Sequence, residues 1–117
     1  MRDMLESIDI IAQHVAGLRK ETVERVQELH DAVLFRLIVL GEAASRVSQE
    51  GRELHPEIPW ILAIKTRNFL IHVYDQIKWD IVWDTVQKDL PPLEAALRST
   101  LGLPPPPDRS KSWGDLE

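Results

Sequence analysis

Apolar residues recur every three or four positions between Glu21 and Glu50, and no proline interrupts this stretch. That spacing puts them on one side of an α-helix, whose period is 3.6 residues. The stretch predicts one long helix, broken near its start, in which Gly41 is the only interior residue typical of a turn. Its apolar positions are Val23, Val26, Leu29 or His30, Val33, Leu37, Leu40, Ala44 and Val47. No strand alternation, repeat or heptad run occurs in the rest of the chain, so we predict an all-α fold.

Further helices are predicted on both sides of this stretch. Residues 3 to about 17 carry apolar residues at helical spacing, and Gly17 marks the end of that helix. The segment GRELHPEIP predicts a loop, because each proline removes a backbone donor. From Pro59 onward, WILAIKTRNFLIHVY carries apolar residues on two adjacent stripes, which predicts a mostly buried helix.

The last third of the chain predicts two more helices and a tail. DQIKWDIVWDTVQKDL has helical spacing, and we expect Asp89 to cap a final helix that begins with two prolines and ends at Gly102. Together the elements predict an antiparallel bundle of four or five helices in one domain, residues 1–102. Residues 103–117 are rich in proline, which predicts a flexible C-terminal tail.

Charge and composition limit the function classes. A net charge of −5 argues against a protein that coats nucleic acid by bulk attraction, so any contact with nucleic acid must be local. The absence of cysteine excludes disulfides and thiolate metal sites. The longest apolar stretch is interrupted by Arg36 and Glu42 and is shorter than the roughly 20 residues that span a bilayer. Acids near the start are atypical of a signal peptide, and we expect a soluble, cytoplasmic protein.

RNFLIHVY, residues 67 to 74, sets four polar residues in an otherwise apolar run. In an α-helix Asn68 and His72 would share a face, whereas Arg67 and His72 would lie about 140° apart. Two copies of the helix meeting across a two-fold axis would bring the arginine of one chain toward the histidine of the other. Two of the predicted helices are also apolar on more than one side, and a partner would cover that surface, so we predict a homodimer.

A cleft of this kind would suit a phosphodiester. A neutral histidine can accept the proton of a ribose 2′-hydroxyl, a second imidazolium can protonate the leaving oxygen, and arginine can stabilise the charge on phosphorus, all without a metal. In the structural alternative, His72 is a hydrogen-bonded residue at the edge of the core and Arg67 pairs with Asp75 or Glu42. Spacing alone favours the structural alternative.

Four sequence blocks together favour catalysis. The string Arg67-Asn68-x-x-x-His72-x-Tyr74 stands in order with LGEAA and HPEIPW before it and IVWDTVQKDLPPL after it. Over most of residues 1 to 101 the chain resembles the HepT-like branch of the HEPN superfamily, the toxins of HepT/MntA-type toxin–antitoxin pairs. The resemblance implies an all-α homodimer with a metal-independent endoribonuclease site made by Arg67 and His72 of both protomers. Asn68 would have a supporting role.

The same resemblance implies a protein partner, an MntA-like nucleotidyltransferase antitoxin encoded nearby. In a type VII-like module this partner would silence the toxin by attaching AMP to Tyr74. The chain departs from the family at Lys65 and Thr66, where a pair such as Gly-Met is common. The competing hypothesis is a non-catalytic helical subunit that docks a nucleotidyltransferase and uses the polar residues to bind nucleotide or RNA.

The remaining candidates are weaker. None of the other histidines has a ligand-type neighbour three or four positions away, so we predict neither a metal nor another cofactor. Trp60, Trp79 and Trp83 stand among Ile and Val residues, which favours a place in the core or in a dimer interface over base stacking. Lys65, Arg67 and Lys78 form the only basic cluster near the motif.

Overall fold

A computed structural model describes residues 1–73 and 78–106, and within residues 70–73 it describes the backbone alone. The side chain of His72, the whole of Tyr74 and Asp75, and the predicted tail from residue 107 onward therefore lie outside the described residues. The described chain contains helices and no strand, which confirms the all-α class. Its α-helices are α1 (Arg2–Val15), α2 (Lys20–Arg25), α3 (Gln27–Ser45), α4 (Gln49–Leu54), α5 (Trp60–Lys65), α6 (Trp79–Asp84) and α7 (Leu90–Thr100). A 3₁₀ helix, Thr66–Val73, continues α5, and a π-helical segment, Thr85–Asp89, joins α6 to α7.

The long helix predicted over residues 21–50 is three helices. Val26 has an extended backbone (φ −83°, ψ 107°) that separates α2 from α3, so the predicted break near the start is confirmed. The prediction that the helix continues to Glu50 was wrong, because α3 ends at Ser45. Ser48 then caps α4 by accepting a hydrogen bond from the Gly51 amide at 3.0 Å. The loop predicted from Gly51 is consequently shorter, since α4 runs to Leu54.

The prediction that Asp89 caps the last helix was wrong. Asp89 has helical backbone angles (φ −92°, ψ −36°) and makes no side-chain cap, and the chain stays helical from α6 through the π segment into α7. Pro91 and Pro92 stand in the first turn of α7, directly after the π segment, and they donate no backbone hydrogen bond there. Gly102 ends α7 with a positive φ of 71°, as the sequence predicted.

Helix α3 packs against α1 and against α5 with its 3₁₀ continuation, and its buried residues form part of the core. Trp60, Trp79 and Trp83 are all buried, which confirms their predicted place in the core. The Trp79 ring stacks on His30 with centroids 4.7 Å apart, and its Nε1 donates to the Lys20 carbonyl at 3.2 Å. These contacts attach α6 to α2 and to the start of α3.

Among the described helices, none is long and apolar enough to span a membrane.

Candidate functional site

The motif begins where α5 changes from an α-helix to a 3₁₀ helix. Thr66 is buried, and its hydroxyl donates to the Ala63 carbonyl at 2.8 Å within the last turn of α5. The 3₁₀ helix that follows α5 has eight residues, Thr66–Val73. Runs of 3₁₀ helix usually stop after three or four residues, and a 3₁₀ stretch that continues a helix often marks a functional or strained segment. The backbone of the motif is therefore irregular at the residues that carry its polar groups.

This backbone changes the angular relations within the motif. A 3₁₀ helix has 3.0 residues per turn, so Asn68 and His72 are about 120° apart around the axis instead of sharing a face as they would in an α-helix. The expectation of a shared face was wrong for that reason. Arg67 and His72 also lie about 120° apart, so the divergence of those two positions within one chain remains.

Gly41 of α3 faces the start of the motif at very close range. A Cβ built on Gly41 would clash with the Arg67 backbone nitrogen and would lie 2.7 Å from Thr66 Oγ1 and 2.8 Å from Arg67 Cβ. Real Cβ atoms essentially never approach other heavy atoms this closely. Only glycine lets α3 approach the backbone of the motif arginine at this point.

Glu42, the next residue of α3, contacts the Arg67 side chain. Arg67 Nε lies 3.2 Å from Glu42 Oε1, and the two side chains are 47% and 36% exposed. The ion pair anticipated by the structural alternative is therefore present for Arg67. It does not conceal the guanidinium, because about half of that side chain remains open to solvent.

The basic cluster around Arg67 is partly neutralised by acids. Lys65 Nζ lies 2.9 Å from Asp89 Oδ2, so this lysine, which departs from the family pattern, pairs with an acid at the end of the π segment. Lys78 is exposed. Two of the three cations of the cluster thus have an acidic neighbour, and the local field is less positive than the sequence suggested.

Of the other motif residues, one is on the surface and one is in the core, and the side chains of His72 and Tyr74 are not described. Asn68 is exposed beside Arg67, and Phe69 is 9% exposed and anchors the 3₁₀ helix in the core. The His72 side chain and Tyr74 lie outside the described residues. Their predicted roles stay predictions.

The remaining histidines lie on separate parts of the fold. His14 Nδ1 is 2.8 Å from the Ile10 carbonyl oxygen, His30 stacks on Trp79, and His55 Nδ1 is 3.5 Å from Glu57 Oε2. In the portion of the chain with described side chains, no group of three or more His, Cys, Asp or Glu residues could hold a metal ion.

The sequence did not identify two residues, Gly41 and Glu42, as parts of this site. The sequence marks Gly41 only as an interior glycine, and it indicates Glu42 as a residue that could pair with Arg67 or orient it. The signal that could have identified them is the glycine itself: a glycine inside a long helix is destabilising relative to alanine, so it often indicates close contact with another backbone.

Comparison with known proteins gives one family. The family model described as Ribonuclease HepT-like matches residues 4–100. The chain is 31% identical over 94 residues to "Probable ribonuclease HepT" of Thermococcus cleftensis, an alignment that covers 80% of this chain and 86% of the other. It is 29% identical over 101 residues to "Putative RNase TTE0752" of Caldanaerobacter subterraneus subsp. tengcongensis, with 86% and 90% covered.

A third relative is "Putative RNase MJ1380" of Methanocaldococcus jannaschii, 28% identical over 92 residues, with 79% of this chain and 84% of the other covered. No solved structure matches the chain. The ribonuclease class inferred from the four motif blocks is confirmed by these comparisons, and the chain belongs to the ribonuclease HepT-like family.

Proposed function

We propose that this protein is a metal-independent endoribonuclease that acts as the toxin of a type VII-like toxin–antitoxin module. The observation that carries the proposal is Arg67, whose backbone is fixed against α3 at Gly41 while about half of its side chain remains exposed. A cation held in this way can bind a phosphate from solution, and guanidinium groups bind phosphate with several parallel hydrogen bonds. Family membership supplies the ribonuclease class.

The proposed chemistry uses His72 and Arg67 of both protomers. One imidazole accepts the proton of the ribose 2′-hydroxyl, and the hydroxyl oxygen forms a bond to the adjacent phosphorus. The bond from phosphorus to the 5′-oxygen breaks, and the second imidazolium protonates that leaving oxygen. Arg67 stabilises the extra negative charge on the phosphoryl oxygens. The products are a 2′,3′-cyclic phosphate and a free 5′-hydroxyl.

Two features support a homodimer with a shared site. The backbone positions of Arg67 and His72 lie about 120° apart around one 3₁₀ helix, so a second chain is the simplest source of the missing group. Large apolar side chains are also exposed near the site: one is close to the motif in sequence, and another lies on the same face of α3 as Glu42. Ile61 is 84% exposed, six residues before Arg67, and Phe35 is 58% exposed on the face of α3 that also carries Glu42.

A nucleotidyltransferase antitoxin is the proposed protein partner. In the proposed step the Tyr74 hydroxyl oxygen, losing its proton, forms a bond to the α-phosphorus of ATP, and the bond to the β-phosphate breaks with release of pyrophosphate. The attached AMP would add a negative phosphate and a nucleoside two residues after His72. That group would compete with RNA for the arginines of the site and would exclude the RNA backbone. The toxin would be silenced while still folded. We further propose a cytoplasmic location, where RNA, ATP and this partner would all be available.

The main competing function is a non-catalytic subunit that docks the nucleotidyltransferase. The acids beside Lys65 and Arg67 favour it, because neutralised cations attract RNA less strongly. Induced expression of this chain alone, beside the His72→Ala variant, separates the two hypotheses. A toxin arrests growth and cleaves cellular RNA, and His72→Ala abolishes both effects; a docking subunit leaves growth unchanged in both strains.

A further inference from the structure

The backbone and the side chain of Arg67 are held by adjacent residues of α3. Gly41 permits contact with the Arg67 backbone, and Glu42 contacts the Arg67 side chain at Nε. The preceding residue is also held in place, because the buried Thr66 hydroxyl donates to the Ala63 carbonyl. The start of the motif is therefore fixed, and the long arginine side chain is the remaining variable part.

The recorded contact involves Nε of the guanidinium and one carboxylate oxygen, 3.2 Å apart. A guanidinium has five N–H donors, so one such contact leaves donors for a phosphate. Both side chains are more than one-third exposed, so the pair adds little to stability, but it restricts the directions in which Arg67 can point. The contact thus has the features expected of an orienting group.

We propose that Glu42 is a positioning residue of this ribonuclease: its carboxylate forms an ion pair with Arg67, with Oε1 3.2 Å from Nε, and so holds the guanidinium in the orientation that meets the phosphate. The inference rests on the proposed function, since it assigns a role in catalysis through Arg67. Glu42 itself touches neither substrate nor leaving group. Ordering a long side chain before the reaction is worth roughly 2- to 10-fold in rate.

Two substitutions separate positioning from charge. Glu42→Ala removes the carboxylate, so Arg67 loses its ion-pair partner and kcat should fall by about 3- to 10-fold while KM changes less than about twofold. Glu42→Gln keeps an oxygen that can accept from Nε but removes the charge, so its kcat should stay within about twofold of wild type. The rescue by glutamine is the result that a purely electrostatic role would not give.

The opposite hypothesis is that Glu42 masks Arg67 from RNA. In that case both variants would bind RNA better, because each removes a negative charge that competes with the phosphate. A lower KM in both variants, or a kcat of Glu42→Ala within twofold of wild type, would overturn the positioning role. A loss of activity in Glu42→Ala that matches a loss of folded protein at the assay temperature, measured by circular dichroism, would also overturn it.

Glu28→Ala is the matched control. Glu28 is an exposed acid on the same helix, 14 residues and therefore about 21 Å along the axis from Glu42. It removes the same charge without a contact to Arg67 and should leave kcat and KM unchanged. Equal effects of Glu28→Ala and Glu42→Ala would show that only net charge matters and would contradict the proposal.

A measurement independent of cleavage keeps this inference separate from the proposed function. The Arg67 Nε–H signal in a proton–nitrogen NMR spectrum can be identified by its loss in Arg67→Lys. It should shift in Glu42→Ala and not in Glu28→Ala, and an unmoved signal in Glu42→Ala would show that the pair does not form in solution.

A wild-type chain that cuts no RNA would overturn the proposed function, and the positioning role with it, even if the NMR signal shifts. A wild-type chain that cuts RNA beside an equally active Glu42→Ala variant would overturn the positioning role alone.

Discussion

Gly41 of α3 lies so close to the backbone nitrogen of Arg67 that a methyl group cannot fit between the two residues. This contact joins α3, the longest helix of the described chain, to Arg67, the first residue of the proposed catalytic motif. It explains why a residue with low helix propensity stands inside α3. The approach of the two backbones also brings Glu42 within reach of the Arg67 side chain.

Gly41→Ala should lower the free energy of unfolding by about 1–3 kcal/mol, because α3 must move away from Thr66 and Arg67. In an open helix the same change would raise stability by roughly 0.5–1 kcal/mol. Urea denaturation measures the difference. Gly51→Ala is the control, since a Cβ there meets the side chains of Val47 and Ser48, at 2.9 and 3.3 Å, which can yield more readily than a backbone. A Gly41→Ala protein as stable as Gly51→Ala would contradict the close approach.

Asp89→Asn should strengthen RNA binding, because it releases Lys65 from a carboxylate 2.9 Å away and leaves the lysine to contact a phosphate. Binding can be measured with a 2′-deoxy analogue that cannot be cleaved. Its affinity at low salt should rise, and the slope of log K against log salt concentration should become steeper by about 0.7 for each added phosphate contact. Asp80→Asn is the control, since it removes the same charge but releases Lys20. Equal gains in both variants would mean that net charge, and not the place of Lys65, controls binding.

Thr100→Val should raise the pKa of Glu57 toward its ordinary value of 4.5. The Thr100 hydroxyl donates to Glu57 Oε2 at 2.5 Å and is the largest cause of the lowered pKa of that carboxyl. Because the folded pKa is below the unfolded one, this contact stabilises the fold above the unfolded pKa, and its contribution is lost as the pH falls through the folded pKa. The stability difference between wild type and Thr100→Val should therefore be larger at pH 7 than at pH 3. NMR titration of the Glu57 carboxyl reads the pKa directly, and Thr100→Ser, which keeps the hydroxyl, should titrate like wild type.

Tyr74→Phe should abolish modification by the proposed nucleotidyltransferase partner while leaving RNA cleavage in place, because phenylalanine keeps the ring and removes the acceptor hydroxyl. The readout is intact mass after incubation with the partner and ATP, and wild type should gain one or more AMP units. Tyr74 is the only tyrosine of the chain, so the variant tests a single side chain of that type. AMP found on Tyr74→Phe, or an unmodified wild type beside a partner shown to be active, would favour inhibition by docking alone.

The helices were predictable where the apolar residues that become buried recur at a clear helical period, as in α1 and the middle of α3. The break at Val26 was foreseen only in general terms, since no proline or glycine marks it. Eight residues are too few to distinguish periods of 3.0 and 3.6, so the 3₁₀ form of Thr66–Val73 could not be read from the sequence.

The site was predictable as a set of residues but not as a set of contacts. Arg67 could be recognised from its motif, whereas the choice between Asp75 and Glu42 as its neighbour depends on how α3 packs. The pair between Lys65 and Asp89 was missed because Asp89 had been assigned to a helix cap. Long-range pairs of this kind follow from tertiary packing, which local propensity does not encode.

The most direct test is cleavage of a labelled single-stranded RNA by purified wild type, Arg67→Ala and His72→Ala, each with and without EDTA. General acid–base transfer by histidine typically supplies about 10² to 10⁴ in rate, and stabilisation of the phosphoryl charge supplies a comparable factor. We expect wild type to cut equally well with and without the chelator and both variants to lose at least about a hundredfold in rate while remaining folded. Full cleavage by either variant, or loss of wild-type cleavage in EDTA with recovery on addition of a divalent ion, would contradict the account.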